Sequence, residues 1–125
     1  MAAASHWSNQ LVVRRQELGG AVCLILTGEL DLASVATLQA HFKAIAQSED
    51  HVIVDLSGLR YIDSTGAKTL LDAHRMLSRT GRRIALAAVQ PMARRIIDVM
   101  GIEKAIPIFP TVEAALEYLR GEKKP

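Results

Sequence analysis

The chain has 125 residues, half of them hydrophobic, with 15 basic residues against 13 acidic ones. That length implies one domain with an ample core, and a formal net charge of +2 is too small to imply a nucleic-acid partner unless it is concentrated on one face. No window holds the roughly 18 apolar residues that a transmembrane helix needs, so membrane insertion is not expected.

Residues 1–8 read as a flexible tail, residues 9–120 as the domain and residues 121–125 as a second tail. Met1 to Gln10 has no basic stretch followed by an apolar one, and the expected location is the cytoplasm. A short strand over residues 11–14 and another over residues 21–27 are separated by Leu18-Gly19-Gly20, a turn signal that predicts an antiparallel hairpin. Cys23 lies in the apolar run of the second strand and reads as a buried, inert thiol. From Ser34 onward Val35, Leu38, Phe42 and Ile45 share one helical face, with Gln39, Lys43 and Gln47 opposite, so a crossover helix joins the second strand to the third. Val52 to Val54 form a continuous apolar strand of the kind covered on both faces.

From Ala67 the apolar spacing turns helical, with Ala67, Leu70, Leu71 and Leu77 on the inner face and Lys68, Asp72, Arg75 and Arg79 as a charged stripe. A strand over residues 83–89 follows, then a helix over residues 91–100 with Pro91 near its start and Gly101 past its end. A short strand over residues 106–109 and a helix over residues 111–120 close the domain. The expected fold class is α/β, a mostly parallel sheet with one antiparallel edge strand, flanked by about four helices. The basic pairs Arg14-Arg15, Arg82-Arg83 and Arg94-Arg95 sit in separate elements without interleaved aromatic residues, and are expected to be solvated faces.

Two loops stand out. Gly28-Glu29-Leu30-Asp31 ends the second strand, and Asp63-Ser64-Thr65-Gly66 follows the third; in open α/β sheets such loops share the functional edge beyond the strands' carboxyl ends. Asp, Ser and Thr are preferred N-caps, so capping alone accounts for their presence. Ser64 is nevertheless expected at or just before a helix N-terminus, where unpaired N–H groups and the helix dipole favour an anion such as a phosphate.

Together these residues resemble the anti-sigma factor antagonist family, whose fold is the STAS domain, over roughly residues 9–120. The family's Gly-x-Leu-Asp stretch is matched by Gly28, Leu30 and Asp31, and its Asp-Ser-Ser/Thr-Gly loop by Asp63 to Gly66. The resemblance implies that Ser64 is the phosphoacceptor, with Thr65 as second choice, supported by Asp31, Asp63 and Gly66. It implies a partner surface including Asp31, Ser64, Thr65, Lys68, Asp72 and Arg75. The implied partners are an anti-sigma factor with histidine-kinase-like, ATP-binding serine kinase activity and a serine phosphatase, and the implied role is partner switching that regulates sigma-factor-dependent transcription. This chain departs at Ala67-Lys68, where the family commonly has an apolar residue and then a small one, a difference that bears on the partner more than on the fold.

Enzyme readings lack parts. A serine hydrolase would want a Gly-x-Ser-x-Gly elbow and a histidine in a later loop, and neither is legible. A phosphoaspartate receiver at Asp55 would want an acidic pair and a lysine on other strands. No Gly-rich phosphate loop is present. His6, His41, His51 and His74 form no i,i+3 or i,i+4 pair, so no metal or other cofactor is expected, and His74 reads as a hydrogen-bonded core residue. A nonphosphorylated STAS scaffold, as a subunit of a transporter or sensory complex, is the alternative within the same fold.

Overall fold

The computed structural model describes residues 10–121. The tails expected over residues 1–8 and 121–125, and His6, lie outside the described residues, apart from Gly121, which is the last residue of a helix. The chain forms β1 (Val12–Glu17), β2 (Ala21–Leu30), α1 (Val35–Ile45), β3 (His51–Ile62), α2 (Ser64–Ser78), β4 (Ile84–Ala87), α3 (Pro91–Val99), a 3-10 turn (Ile102–Lys104), β5 (Ile108–Phe109) and α4 (Val112–Gly121). Among these, no helix is long and apolar enough to cross a membrane.

The sheet follows chain order, β1-β2-β3-β4-β5, with β1 antiparallel to β2 and the remaining neighbours parallel. The hairpin turn is the one its glycines predict: Gly19 and Gly20 both take positive φ, 68° and 91°, and Leu18 N–H donates to Ala21 O at 2.8 Å. Parallel strands added one after another in a single direction, with right-handed crossovers, put every connecting helix on the same face. Alternate residues of β2 divide accordingly. Val22, Leu24 and Leu26 pack with Leu38, Phe42, Leu70, Leu77 and Ile97 of α1, α2 and α3. Ala21 and Cys23 face the other way, where Ala85, Ala87 and Ile53 meet Ala115 and Leu119 of α4. α4 connects no strands, so it is free to return across the far face. Burial pushes the Cys23 thiol up to about 11, helped by the charges of Asp55 and Glu113, and it stays protonated at neutral pH.

Strand limits differ from the expected ones where pairing overrides local signal. β1 runs on to Glu17 because every residue from Val12 has a partner on β2, and its exposed charges suit an edge strand. β2 continues through Gly28-Glu29-Leu30, with register shifts between Ile25 and Thr27 and between Gly28 and Glu29. Gly28 takes φ 108°, and a Cβ there would lie 2.3 Å from Gln10 O, so only glycine fits this irregular crossing. β3 extends to Ile62, so Asp55 lies inside a strand with Oδ1 accepting from Ser57 N–H at 2.9 Å. β4 is shorter than expected; Ala88 just beyond it turns out of the strand at φ 56°.

Two side-chain expectations need correction. Arg82 is not part of a solvated pair: it is 6% exposed and donates to Ile45 O at 2.7 Å, Ala46 O at 3.2 Å and Thr80 Oγ1 at 3.0 Å. It satisfies the last carbonyls of α1, where the helix dipole also favours a cation. Its neighbour Arg83 is half-buried, with its guanidinium 4.9 Å from the Tyr118 ring and donating to the Tyr118 hydroxyl. His74 is half-buried on the flank of α2, where Ala73 and Leu77 take the inner positions; Ser78 Oγ donates to its backbone carbonyl, and its ring makes no hydrogen bond among the described residues. Arg82→Met is expected to lower unfolding stability by about 2–3 kcal/mol, because it strands the α1 carbonyls that a charged donor now satisfies. Urea unfolding checks this, with the midpoint falling and the slope unchanged.

Candidate functional site

Because β2 to β5 are parallel, their carboxyl ends lie along one edge, and the turns after Leu30 and Ile62 are neighbours there. Leu30 pairs with Ile62 across the sheet, and Asp63 N–H donates to Leu30 O at 3.2 Å. Asp63 then leaves the strand in extended conformation and caps α2: its Oδ1 accepts from Gly66 N–H at 2.8 Å, three residues on. The other carboxylate oxygen reaches the first loop, accepting from Leu32 N–H at 3.2 Å. A single side chain therefore starts one helix and ties the two loops together.

Gly66 has a packing task in this joint. A Cβ on it would lie 2.4 Å from Leu30 O, 2.9 Å from Leu30 Cγ and 3.0 Å from Ile62 Cγ1, so the absence of a side chain lets the first turn of α2 rest on the end of β2. Its N–H is taken by Asp63. Ser64 and Thr65, the first two helical residues, keep N–H groups with no acceptor among the described residues.

The Ser64 side chain is exposed, and among the described residues its hydroxyl makes no hydrogen bond. Thr65 is half-buried, and its carbonyl accepts from the buried Thr69 hydroxyl at 3.0 Å. Asp31 is held within its own loop: Oδ1 accepts from Ala33 N–H at 3.1 Å and lies 3.2 Å from Ser34 Oγ, and Asp31 O accepts from Ser34 and Val35 N–H. Neither Asp31 nor Asp63 hydrogen-bonds Ser64; both shape backbone. On α2, Lys68 and Arg75 flank Asp72, with nitrogen to oxygen distances of 3.1 Å on each side. All three side chains are largely exposed, so the stripe adds little to stability. No group of His, Cys, Asp and Glu among the described residues is arranged to hold a metal ion.

Two features of this edge were not anticipated from sequence. Ser34 is the hub of the first loop, accepting from Asp31 N–H at 3.0 Å and lying 2.8 Å from Glu29 O, to which its hydroxyl donates. An apolar surface also adjoins the Ser64 turn. Leu32 is 73% exposed, and Tyr61, Met92 and Val99 are exposed along a shallow groove that includes Ile96 and Arg95. The i, i+4 and i+7 spacing of Met92, Ile96 and Val99 was the available signal, but the inner face of α3 uses the equally apolar Ala93 and Ile97.

The STAS domain family model matches residues 13–115. The chain is similar to the anti-sigma F factor antagonist of Paenibacillus polymyxa, at 25% identity over 111 residues that cover 87% of this chain and 95% of the relative. It is also similar to the anti-sigma-F factor antagonist RsfB of Mycobacterium tuberculosis, at 27% identity over 114 residues, covering 90% of this chain and 93% of the relative. Among solved structures, the anti-sigma factor antagonist SpoIIAA in its unphosphorylated form superposes with a TM-score of 0.77 at 26% identity, covering 88% of this chain and 97% of that one.

Proposed function

This chain belongs to the STAS domain family, and from that premise we propose that it is an anti-sigma factor antagonist, a binding module that captures an anti-sigma factor and releases it when Ser64 is phosphorylated. The anti-sigma factor is itself the kinase, a histidine-kinase-like ATP-binding protein acting on serine, and a serine phosphatase resets the switch. The cycle runs in the cytoplasm and controls sigma-factor-dependent transcription. The relatives named above as anti-sigma factor antagonists support the general role.

The observation that carries the Ser64 reading is its position as first residue of α2, exposed at the carboxyl edge of the sheet, its hydroxyl and the N–H groups of Ser64 and Thr65 having no hydrogen-bond partner among the described residues. In the kinase reaction the γ-phosphoryl of ATP is transferred to Ser64 Oγ, the hydroxyl proton passes to a base on the kinase, and ADP leaves. The product carries about −1.5 to −2 charges at the centre of the contact surface formed by Asp31, Leu32, Ser64 and Lys68. Thr65 is the poorer acceptor because its side chain is half-buried.

Cross-linking in the native cell identifies the partner, and incubation of the two proteins with labelled ATP followed by phosphopeptide mapping tests the site. Label on Ser64 is the expected result, lost in Ser64→Ala. Undiminished label elsewhere in Ser64→Ala overturns the assignment, whereas label on Thr65 alone moves the acceptor by one residue.

A further inference from the structure

Ser64 and Lys68 stand four residues apart on α2, the spacing at which two side chains of a helix meet one above the other. Lys68 is at present committed the other way: its Nζ donates to the two oxygens of Asp72 at 3.1 and 3.4 Å. Asp72 does not depend on it, because Arg75 donates to Oδ1 of the same carboxylate from the next turn, at 3.1 Å. We infer that Lys68 is the counter-ion of a phosphate on Ser64: when the phosphate is present, the ammonium leaves Asp72 for it, and Asp72 stays paired with Arg75. This rests on the reading of Ser64 as phosphoacceptor and names the residue that sets the charge of the modified site.

Three physical comparisons favour the exchange. The first is order along the helix: an anion four residues before a cation is the better arrangement, and Ser64 precedes Lys68 whereas Asp72 follows it. The second is charge, since phosphoserine offers up to two negative charges and three acceptor oxygens where Asp72 offers one charge shared with Arg75. The third is reach. Lysine carries its point charge on a flexible stem, and both side chains of the Lys68 to Asp72 pair are largely exposed, so the ammonium swings from one neighbour to the other without a backbone movement. Asp63 does not compete for Lys68, because its two oxygens are held by the N–H groups of Gly66 and Leu32. Modification of Ser64 therefore removes a cation from the α2 stripe in the same step as it adds an anion to the edge of the sheet.

The test uses the full chain with phosphoserine installed at position 64 during translation, so it does not depend on any kinase. Phosphorus NMR at low salt follows the second ionisation of the phosphate, near pH 6 in an unperturbed phosphoserine. A lysine beside the dianion lowers that pKa. Lys68→Ala is expected to raise it by about 0.3 unit, and Lys68→Arg to leave it near the wild-type value. Asp72→Asn should lower it by releasing Lys68, but should do so less in a Lys68→Ala background. Circular dichroism confirms that each variant folds. Identical titrations for wild type and Lys68→Ala overturn the inference, as does an effect of Asp72→Asn that is undiminished without Lys68. Failure of the phosphopeptide mapping to place label on Ser64 is a separate result and bears on the acceptor alone.

Discussion

Ser64→Glu is expected to bind the proposed anti-sigma partner at least ~10-fold more weakly than wild type, and the Ser64-phosphorylated protein ~100-fold more weakly, while Ser64→Ala binds as wild type does. The order follows from charge and desolvation. Ser64 is exposed at the start of α2, next to Asp63, whose carboxylate holds the Leu32 loop, and one turn before Lys68 of the α2 stripe. A hydroxyl there is small and neutral, and its loss in alanine leaves no buried group without a partner. A glutamate introduces one negative charge and a phosphate nearly two, of which a single lysine offsets at most one, and the charge left over within a closed contact costs several kcal/mol, each 1.4 kcal/mol being about tenfold in affinity. Titration calorimetry against the purified partner measures all three. Equal affinities for the alanine and glutamate variants would remove phosphorylation as the release signal.

Gly66→Ala is expected to lower stability by about 1–2 kcal/mol and to weaken partner binding with Ser64 still in place. Alanine is the better helix former, and on an open helix the change would stabilise. Here the added Cβ would lie 2.4 Å from a backbone oxygen, Leu30 O, which cannot rotate away as the end of a flexible side chain would. The first turn of α2 must lift from the end of β2, and the bond from Leu32 N–H to Asp63 Oδ2 stretches with it. Urea unfolding reads the stability, and the chemical shift of the Leu32 amide, which donates to Asp63, reads the joint itself. A variant as stable as wild type, with the Leu32 amide unmoved, would show that the contact between loop and helix is loose.

The parts of this molecule legible from sequence are those decided within a few residues. The cap at Asp63 spans three residues, so an aspartate before Ser64 and a glycine at Gly66 suffice to announce the start of α2. The hairpin at Gly19-Gly20 is equally local, because glycine takes the positive φ that both positions require without a steric penalty. Helical periodicity likewise marked the inner faces of α1 and α2, since it depends only on spacing along one element.

What the tertiary structure decided involves partners far along the chain. Gly28-Glu29-Leu30 reads as a loop by composition, yet it is strand because Leu59, Tyr61 and Ile62 lie beside it. Arg82 reads as a solvated cation, but the end of α1, 36 and 37 residues earlier, leaves carbonyls that its guanidinium reaches from inside the protein. The second oxygen of Asp63 is indistinguishable in sequence from the first; only the parallel pairing of β2 and β3 brings Leu32 within its range. Met92 and Val99 carry the same apolar signal as Ala93 and Ile97, and the position of α3 over β3 alone selects which pair is covered. Backbone preference and side-chain spacing act over a turn or a strand and are written in neighbouring residues, whereas burial and the second bond of a polar group are set by which distant segments the packed sheet brings alongside.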